Sequence, residues 1–191
     1  VGEVNKNKNH KVGIEALAKL NDPDVYYVIY GHGPLMDVHK ELAKELGVGD
    51  RVVLTGYRTD VADFYKMADI FLFPSFREGL PVSVMEAMAC GLPIIATNIR
   101  GSSDIVKETM NGKLLKPNDV DGFANAISVF RNEELLNSIS KINAQEAMKY
   151  DLNTVIKLYQ EVYFAEGAEN ERVYKKCFVS IYWEENSWCG Y

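Results

Sequence analysis

No apolar run in this 191-residue chain approaches the roughly 20 residues needed to cross a bilayer as a helix. Its first residues, VGEVNKNKNH, lack the charged, apolar and cleavage regions of a secretory signal. The expectation is a cytoplasmic protein. Basic charge is also short: 21 Lys and Arg stand against 27 Asp and Glu, a formal net charge of −6. Without a positive field to hold a polyanion by counterion release, nucleic acid is not an expected partner. Cysteine is scarce. Cys90, Cys177 and Cys189 are odd in number and form no CxxC or Cys/His cluster, which argues against a disulfide framework and a zinc site and predicts reduced thiols. The length, with 47% hydrophobic residues, suits one good core and is too small for two large domains.

Short apolar runs alternate with stretches of helical period, the pattern of an α/β fold with a parallel sheet and crossover helices. Buried strands are predicted in VYYVIYG (Val25 to Gly31), RVVLTG (Arg51 to Gly56), DIFLFPS (Asp69 to Ser75), PIIAT (Pro93 to Thr97) and GKLLKP (Gly112 to Pro117). Between them, HKVGIEALAKL reads as a helix, as does PLMDVHKELAKELGV, whose Leu35, Val38, Leu42 and Leu46 share a face and whose Gly47 serves as C-cap. VADFYKMA gives a shorter helix, and Asp119 to Phe164 is helical throughout, with Asn132 and Asp151 as caps. VGEV resembles the end of a strand whose beginning is missing. The tail from Glu169 to Tyr191, with its strand-like CFVSIYW, is either an added edge strand beside that truncated first strand or a disordered or foreign segment.

In an open parallel sheet, ligands bind beyond the carboxyl ends of the strands. YGHGPL (Tyr30 to Leu35) is such a strand-to-helix loop and mimics a dinucleotide fingerprint, but Met36 stands where the third glycine belongs and no acidic residue ends the next strand. It reads equally as a tight turn. PSFREGLPVSVMEAMACGLPIIAT is more specific. Pro81 suits the start of a helix and Gly91 the residue past its end, which places a helix at about Pro81 to Cys90. Glu78, Gly79 and Leu80 then form the loop at its positive end, where free N–H groups receive phosphate or hydroxyl oxygens. Glu86, among the apolar positions of that helix, either accepts two neighbouring hydroxyls, as a ribose presents them, or faces solvent. Lys6, Lys8 and His10 precede a helix at another strand's carboxyl end; the lysines either neutralise a diphosphate leaving group or form solvated surface.

Taken together and in order, GxGP (Gly31 to Pro34), LTGYRTDV (Leu54 to Val61), PSxxEGLPxxxxEAMAxGxPIIAT and the Asn111-Gly112 turn resemble the retaining glycosyltransferases of GT-B fold known as the glycosyl transferases group 1 domain, or glycosyltransferase family 4. EGLPVSVME matches that family's Glu-x7-Glu motif. The resemblance runs from Val1 to about Phe164 and covers only the C-terminal, donor-binding half. It implies a Rossmann-like sheet with helices on both faces over residues 1–165, the first strand truncated, followed by an atypical tail over 166–191. It further implies that Glu78 bonds donor-sugar hydroxyls, that the Gly79 and Leu80 backbone lies beside the sugar and diphosphate, that Glu86 holds the ribose, and that Lys8 contacts the diphosphate. Gly31, Tyr57 and Arg58 would lie near the nucleotide. Where the family commonly has an arginine, this chain has Glu3, so the phosphate site is expected to lean on Lys8, alone or with Lys6.

The resemblance implies a nucleotide diphosphate sugar donor of UDP, GDP or ADP type, transferred with retention to a saccharide or lipid-linked acceptor, as in polysaccharide biosynthesis. No cofactor and no obligatory metal are expected. The partners implied are the missing N-terminal acceptor domain and, for the full enzyme, a membrane surface met peripherally. DPD at Asp22 to Asp24 spells a metal motif of another glycosyltransferase fold but precedes its strand, on the wrong side of the sheet. The fragment alone is expected to bind donor without completing catalysis. The alternatives are a noncatalytic nucleotide-binding module and, resting only on GHGPLM, a dinucleotide-dependent oxidoreductase.

Overall fold

The computed structural model describes residues 1–108 and 110–164. Along the chain it forms α1 (His10–Leu20), β1 (Tyr27–Ile29), α2 (Met36–Glu45), β2 (Val52–Leu54), α3 (Val61–Met67), β3 (Phe71–Phe73) and α4 (Val82–Ala89). There follow β4 (Ile94–Thr97), α5 (Arg100–Ile105), β5 (Gly112–Leu115), α6 (Val120–Val129), α7 (Glu133–Ala147) and α8 (Leu152–Phe164). Each strand lies inside the segment that predicts it, and every strand pair is parallel. Such strands are apolar throughout because helices cover both faces. β4 shows this: Ile94 and Ala96 pack with Val84, Ala87 and Met88 of α4, while Ile95 points the other way, into a core built from Val12 and Ala16 of α1 and Phe123 and Phe130 at α6.

The helix ends follow local chemistry. Asp119 accepts from the Gly122 N–H and Asn132 from the Leu135 N–H, both at 2.9 Å, and Asp151 accepts from the N–H groups of Asn153 and Thr154. Each cap contributes about 1 kcal/mol by satisfying donors that have no intrahelical partner. Pro81, with ψ 91°, is the extended residue before α4 rather than its first helical residue, so that helix begins one position later than predicted. α5 was not anticipated; RGSSDI has too few apolar residues to show a period.

The sheet is not continuous. β1 pairs with β2, and β3, β4 and β5 form a second sheet. Val1 to Val4 is not a paired strand but runs extended beside the end of β1, the Gly2 N–H donating to the Tyr30 carbonyl at 2.9 Å and the Val4 N–H to that of His32 at 3.0 Å. This is why YGHGPL is rich in glycine: a Cβ on Gly31 would stand 1.8 Å from the Gly2 carbonyl oxygen, and one on Gly33 2.5 Å from that of Val4. These glycines receive another stretch of main chain.

Among the described residues no helix is long and apolar enough to cross a membrane. Cys90 is disulfide-bonded, a correction to the reduced thiol expected of it, since spacing along a chain does not reveal which thiols meet in space. The edge strand or disordered tail expected over 166–191 lies outside the described residues.

Candidate functional site

The loop that enters α1 is held by its asparagines. Asn5 accepts from the Lys8 N–H at 3.1 Å, which folds the turn. Asn7 reaches across to the loop after β3, donating its side-chain amide to the Arg77 carbonyl at 2.9 Å and to Oε1 of Glu78 at 3.3 Å, while its carbonyl accepts from the Phe76 N–H. Two loops 70 residues apart in sequence are thereby joined at the carboxyl ends of the strands. Lys8 completes the junction: its Nζ stands 2.8 Å from Oε1 of Glu78, each side chain about a fifth exposed (20% and 19%), and lies over the Phe73 ring at 5.3 Å. Oε2 of Glu78 has no hydrogen-bond partner among the described residues. Lys6 is exposed and enters no ion pair among them. Glu3 accepts from the Asn5 side chain at 2.8 Å and is exposed.

The segment from Glu78 to Pro81 lies on α5. A Cβ on Gly101 would come within 2.3 Å of the Gly79 carbonyl oxygen, so this loop is seated on a helix that only glycine lets so close. Its other side is open: a Cβ on Gly79 would meet nothing within 4 Å, and Leu80 is exposed. α4 begins here without a side-chain cap, which leaves its first N–H groups without a side-chain acceptor.

Glu86, one further turn along α4, is half-buried, and its Oε2 accepts from the Tyr65 hydroxyl at 3.0 Å. It is not on a solvated face. Burial, and then the Glu86 charge, push the Tyr65 hydroxyl pKa well up, so Tyr65 stays a donor. The amino group of Val1 lies within electrostatic reach of both Lys8 and Glu86.

A neighbouring cluster stands at the ends of β1 and β2. Asp60 accepts from the Tyr30 hydroxyl at 2.6 Å and from Arg58 through both oxygens, at 2.8 and 2.5 Å. The Arg58 hydrogen bonds, then that of Tyr30, hold the Asp60 carboxyl far below the usual carboxylate range. Arg58 also covers the Phe64 ring at 5.5 Å, and Phe64 packs on Tyr30. Tyr57 is exposed beside them. α3 links the two groups, with Phe64 at this cluster and Tyr65 at Glu86.

The structure thus brings Lys8 and Glu78 into contact, sets Gly79 and Leu80 beside them, and places Glu86 with Tyr65; Gly31, Tyr57 and Arg58 belong to the adjoining cluster. Asn7, Tyr65 and Asp60 escaped the sequence reading. Asn7 was hidden in a lysine-rich run, although asparagine between turn residues is itself a signal. Beneath the loop, His10 and His39 are buried edge to face, 6.1 Å between ring centres, with the Tyr27 hydroxyl 3.2 Å from Nδ1 of His10. Burial above all, with the positive charges nearby, lowers the His10 pKa to about 3. Asp22, the suspect metal-motif residue, pairs with Arg131 ahead of β1, away from this site.

The family model described as Glycosyl transferases group 1 matches residues 1–155. A UDP-Gal:alpha-D-GlcNAc-diphosphoundecaprenol alpha-1,3-galactosyltransferase of Escherichia coli is 38% identical over 120 residues, 62% of this chain and 31% of that protein. The putative glycosyltransferase EpsD of Bacillus subtilis is 32% identical over 166 residues, 85% of this chain and 44% of that one. Among solved structures, Anabaena Alr3699/HepE in complex with UDP superposes with a TM-score of 0.78 at 25% identity, over 86% of this chain and 47% of that one. The chain therefore spans less than half the length of these relatives.

Proposed function

The chain belongs to the glycosyl transferases group 1 family, and on that premise we propose that it is the nucleotide-sugar-binding half of a glycosyltransferase of GT-B fold. The observation that carries the proposal is the Lys8–Glu78 contact, assembled by Asn7 at the carboxyl ends of the strands and open on the Gly79 side. The UDP in the Anabaena neighbour supports a nucleoside diphosphate as ligand. Lys8 leaves Glu78 for the diphosphate, aided by Lys6 and the amides opening α4, and so stabilises the departing charge. Glu78, released, accepts donor-sugar hydroxyls. Glu86, fixed by Tyr65, accepts from the ribose. No metal takes part: the nucleoside diphosphate departs and the sugar passes to the acceptor with retention.

The acceptor is a saccharide or lipid-linked saccharide, and the full enzyme meets the membrane peripherally. Transfer needs the acceptor-binding half, because closing two domains supplies the orientation of the reactants. Calorimetric titration of UDP, GDP and ADP tests the proposal. One of them binds, and Glu86→Ala weakens it by about 1.5–3 kcal/mol, the worth of a charged hydrogen bond. A folded sample that binds none of the three overturns the assignment. Supplying a matching N-terminal domain then separates the enzyme, which transfers sugar, from a module that only binds.

A further inference from the structure

Three arginines among the described residues are engaged. Arg58 is held by both oxygens of Asp60, Arg131 pairs with Asp22, and Arg51 donates to the carbonyls of Asp22 and Val25. The other two, Arg77 and Arg100, are exposed; their side chains enter no ion pair and donate no hydrogen bond among those residues. They are neighbours through the fold. Arg77 precedes Glu78 and Arg100 precedes Gly101, and a Cβ on Gly101 would lie 2.9 Å from the Glu78 carbonyl oxygen, so each arginine is one residue from the same main-chain contact. Both loops are fixed. Asn7 holds the main chain of Phe76 and Arg77, the Thr97 hydroxyl donates to the Ser75 carbonyl, and the Asn98 N–H donates to the Leu115 carbonyl at 2.7 Å. Two guanidinium groups on main chain held this way meet a ligand with little backbone ordering left to do.

No carboxylate among the described residues neutralises the pair. Glu78 is taken by Lys8, and Asp104, one turn beyond Arg100 on α5, pairs with neither arginine. In a chain of net charge −6 this is a local excess of positive charge, and like charges side by side are unfavourable until an anion joins them. Resting on the reading of this chain as the donor-binding half of a glycosyltransferase, we infer that Arg77 and Arg100 form a second anion site, which holds the phosphate or diphosphate of an amphiphilic acceptor. The donor has its own groups: Lys8, Lys6 and the amides opening α4 for its diphosphate, and for its nucleoside Glu86 with the cluster that ends the β1–β2 sheet, whereas Arg77 and Arg100 follow strands of the other sheet. Two guanidinium groups match the charge of a phosphate monoester or a diphosphate better than that of one carboxylate, and each fork donates to two phosphate oxygens. Phe76 and Leu80, on either side of Arg77 in the same loop, are exposed and offer apolar surface to the hydrocarbon of such an acceptor.

The test titrates geranyl diphosphate, by calorimetry, into protein saturated with UDP, so that the donor site is already occupied. Saturable binding is expected. Arg77→Gln and Arg100→Gln each weaken it roughly tenfold or more, the loss of a charged hydrogen bond, while UDP affinity, measured separately, is unchanged. Lys141→Gln, which removes the same charge from the exposed face of α7, leaves both ligands unaffected. Inorganic pyrophosphate binds through the same two arginines, more weakly for want of the hydrocarbon. Both side chains are exposed, so the variants keep the melting temperature of the parent. No binding of geranyl diphosphate to the UDP-saturated protein overturns the inference and leaves the donor assignment standing, whereas a parent that binds no UDP overturns both. An equal loss on Lys141→Gln overturns it as a general charge effect, and an equal loss of UDP affinity in the arginine variants places the pair on the donor diphosphate instead. Binding to phosphatidylglycerol vesicles that needs both arginines, with no binding of geranyl diphosphate, assigns the pair to a bilayer surface and likewise overturns it.

Discussion

Replacing Lys8 and Glu78 in turn separates two roles that their contact conceals. The pair is 2.8 Å apart with each side chain about a fifth exposed, so it lies between a screened surface pair, worth at most about 1 kcal/mol, and a fully buried one. A nucleoside diphosphate brings negative charge that competes with Glu78 for the one ammonium. Lys8→Met removes a charged hydrogen bond to phosphate, about 1.5–3 kcal/mol, so UDP binding weakens roughly 10- to 150-fold. Glu78→Gln keeps an acceptor for Asn7 but removes the competing charge, so UDP binding is unchanged or tightens by up to about 1 kcal/mol, roughly fivefold. Uridine, without phosphates, responds to neither change. Calorimetry at low and moderate salt reads all three ligands. If Glu78→Gln weakens UDP as much as Lys8→Met, or Lys8→Met leaves UDP unaffected, the division of labour is wrong.

Tyr65→Phe frees Glu86 from its only hydroxyl donor among the described residues; uridine and UDP binding both weaken several-fold, about 1 kcal/mol, while urea denaturation changes little more. His10 has a folded-state pKa of about 3 against 6.5 unfolded, so its contribution is complete above pH 6.5 and is lost as pH falls toward 3. Between pH 6.5 and 5 that amounts to roughly 1.6 kcal/mol of unfolding free energy, which urea denaturation of the parent shows and His10→Gln does not. Asn143, buried in α7, donates to the carbonyls of Leu92 and Asn111; Asn143→Leu strands that of Leu92, leaves that of Asn111 with the Ile94 N–H, and costs about 1–3 kcal/mol in the same assay.

What could be read from the residues was whatever depends on neighbours in sequence. Continuous apolar runs located β1 to β4, because a strand covered on both faces has no polar side to show, and GKLLKP located β5. Asn132 and Asp151 marked helix starts because a cap acts within three residues of itself. The Glu78 to Glu86 spacing straddled the start of α4 as expected. What depends on distant pairs stayed hidden. Asn7 matters through Glu78, 71 positions away, and Tyr65 through Glu86; neither residue carries a local sign of its partner. The glycines of YGHGPL suggested a ligand, whereas Gly31 and Gly33 make room for the carbonyls of Gly2 and Val4. The short α5 was missed because six residues with Gly and two Ser give neither period nor cap.

The central claim is that one nucleoside diphosphate site lies at the strand ends between Lys8, Glu78 and Glu86. Amide chemical-shift mapping during a UDP titration tests it most directly. The account predicts saturable shifts at Lys8, Gly79, Leu80 and Glu86, with none at Asp22 to Asp24 on the opposite end of the sheet. Saturable shifts confined to other surfaces, with those four amides unmoved, would contradict it.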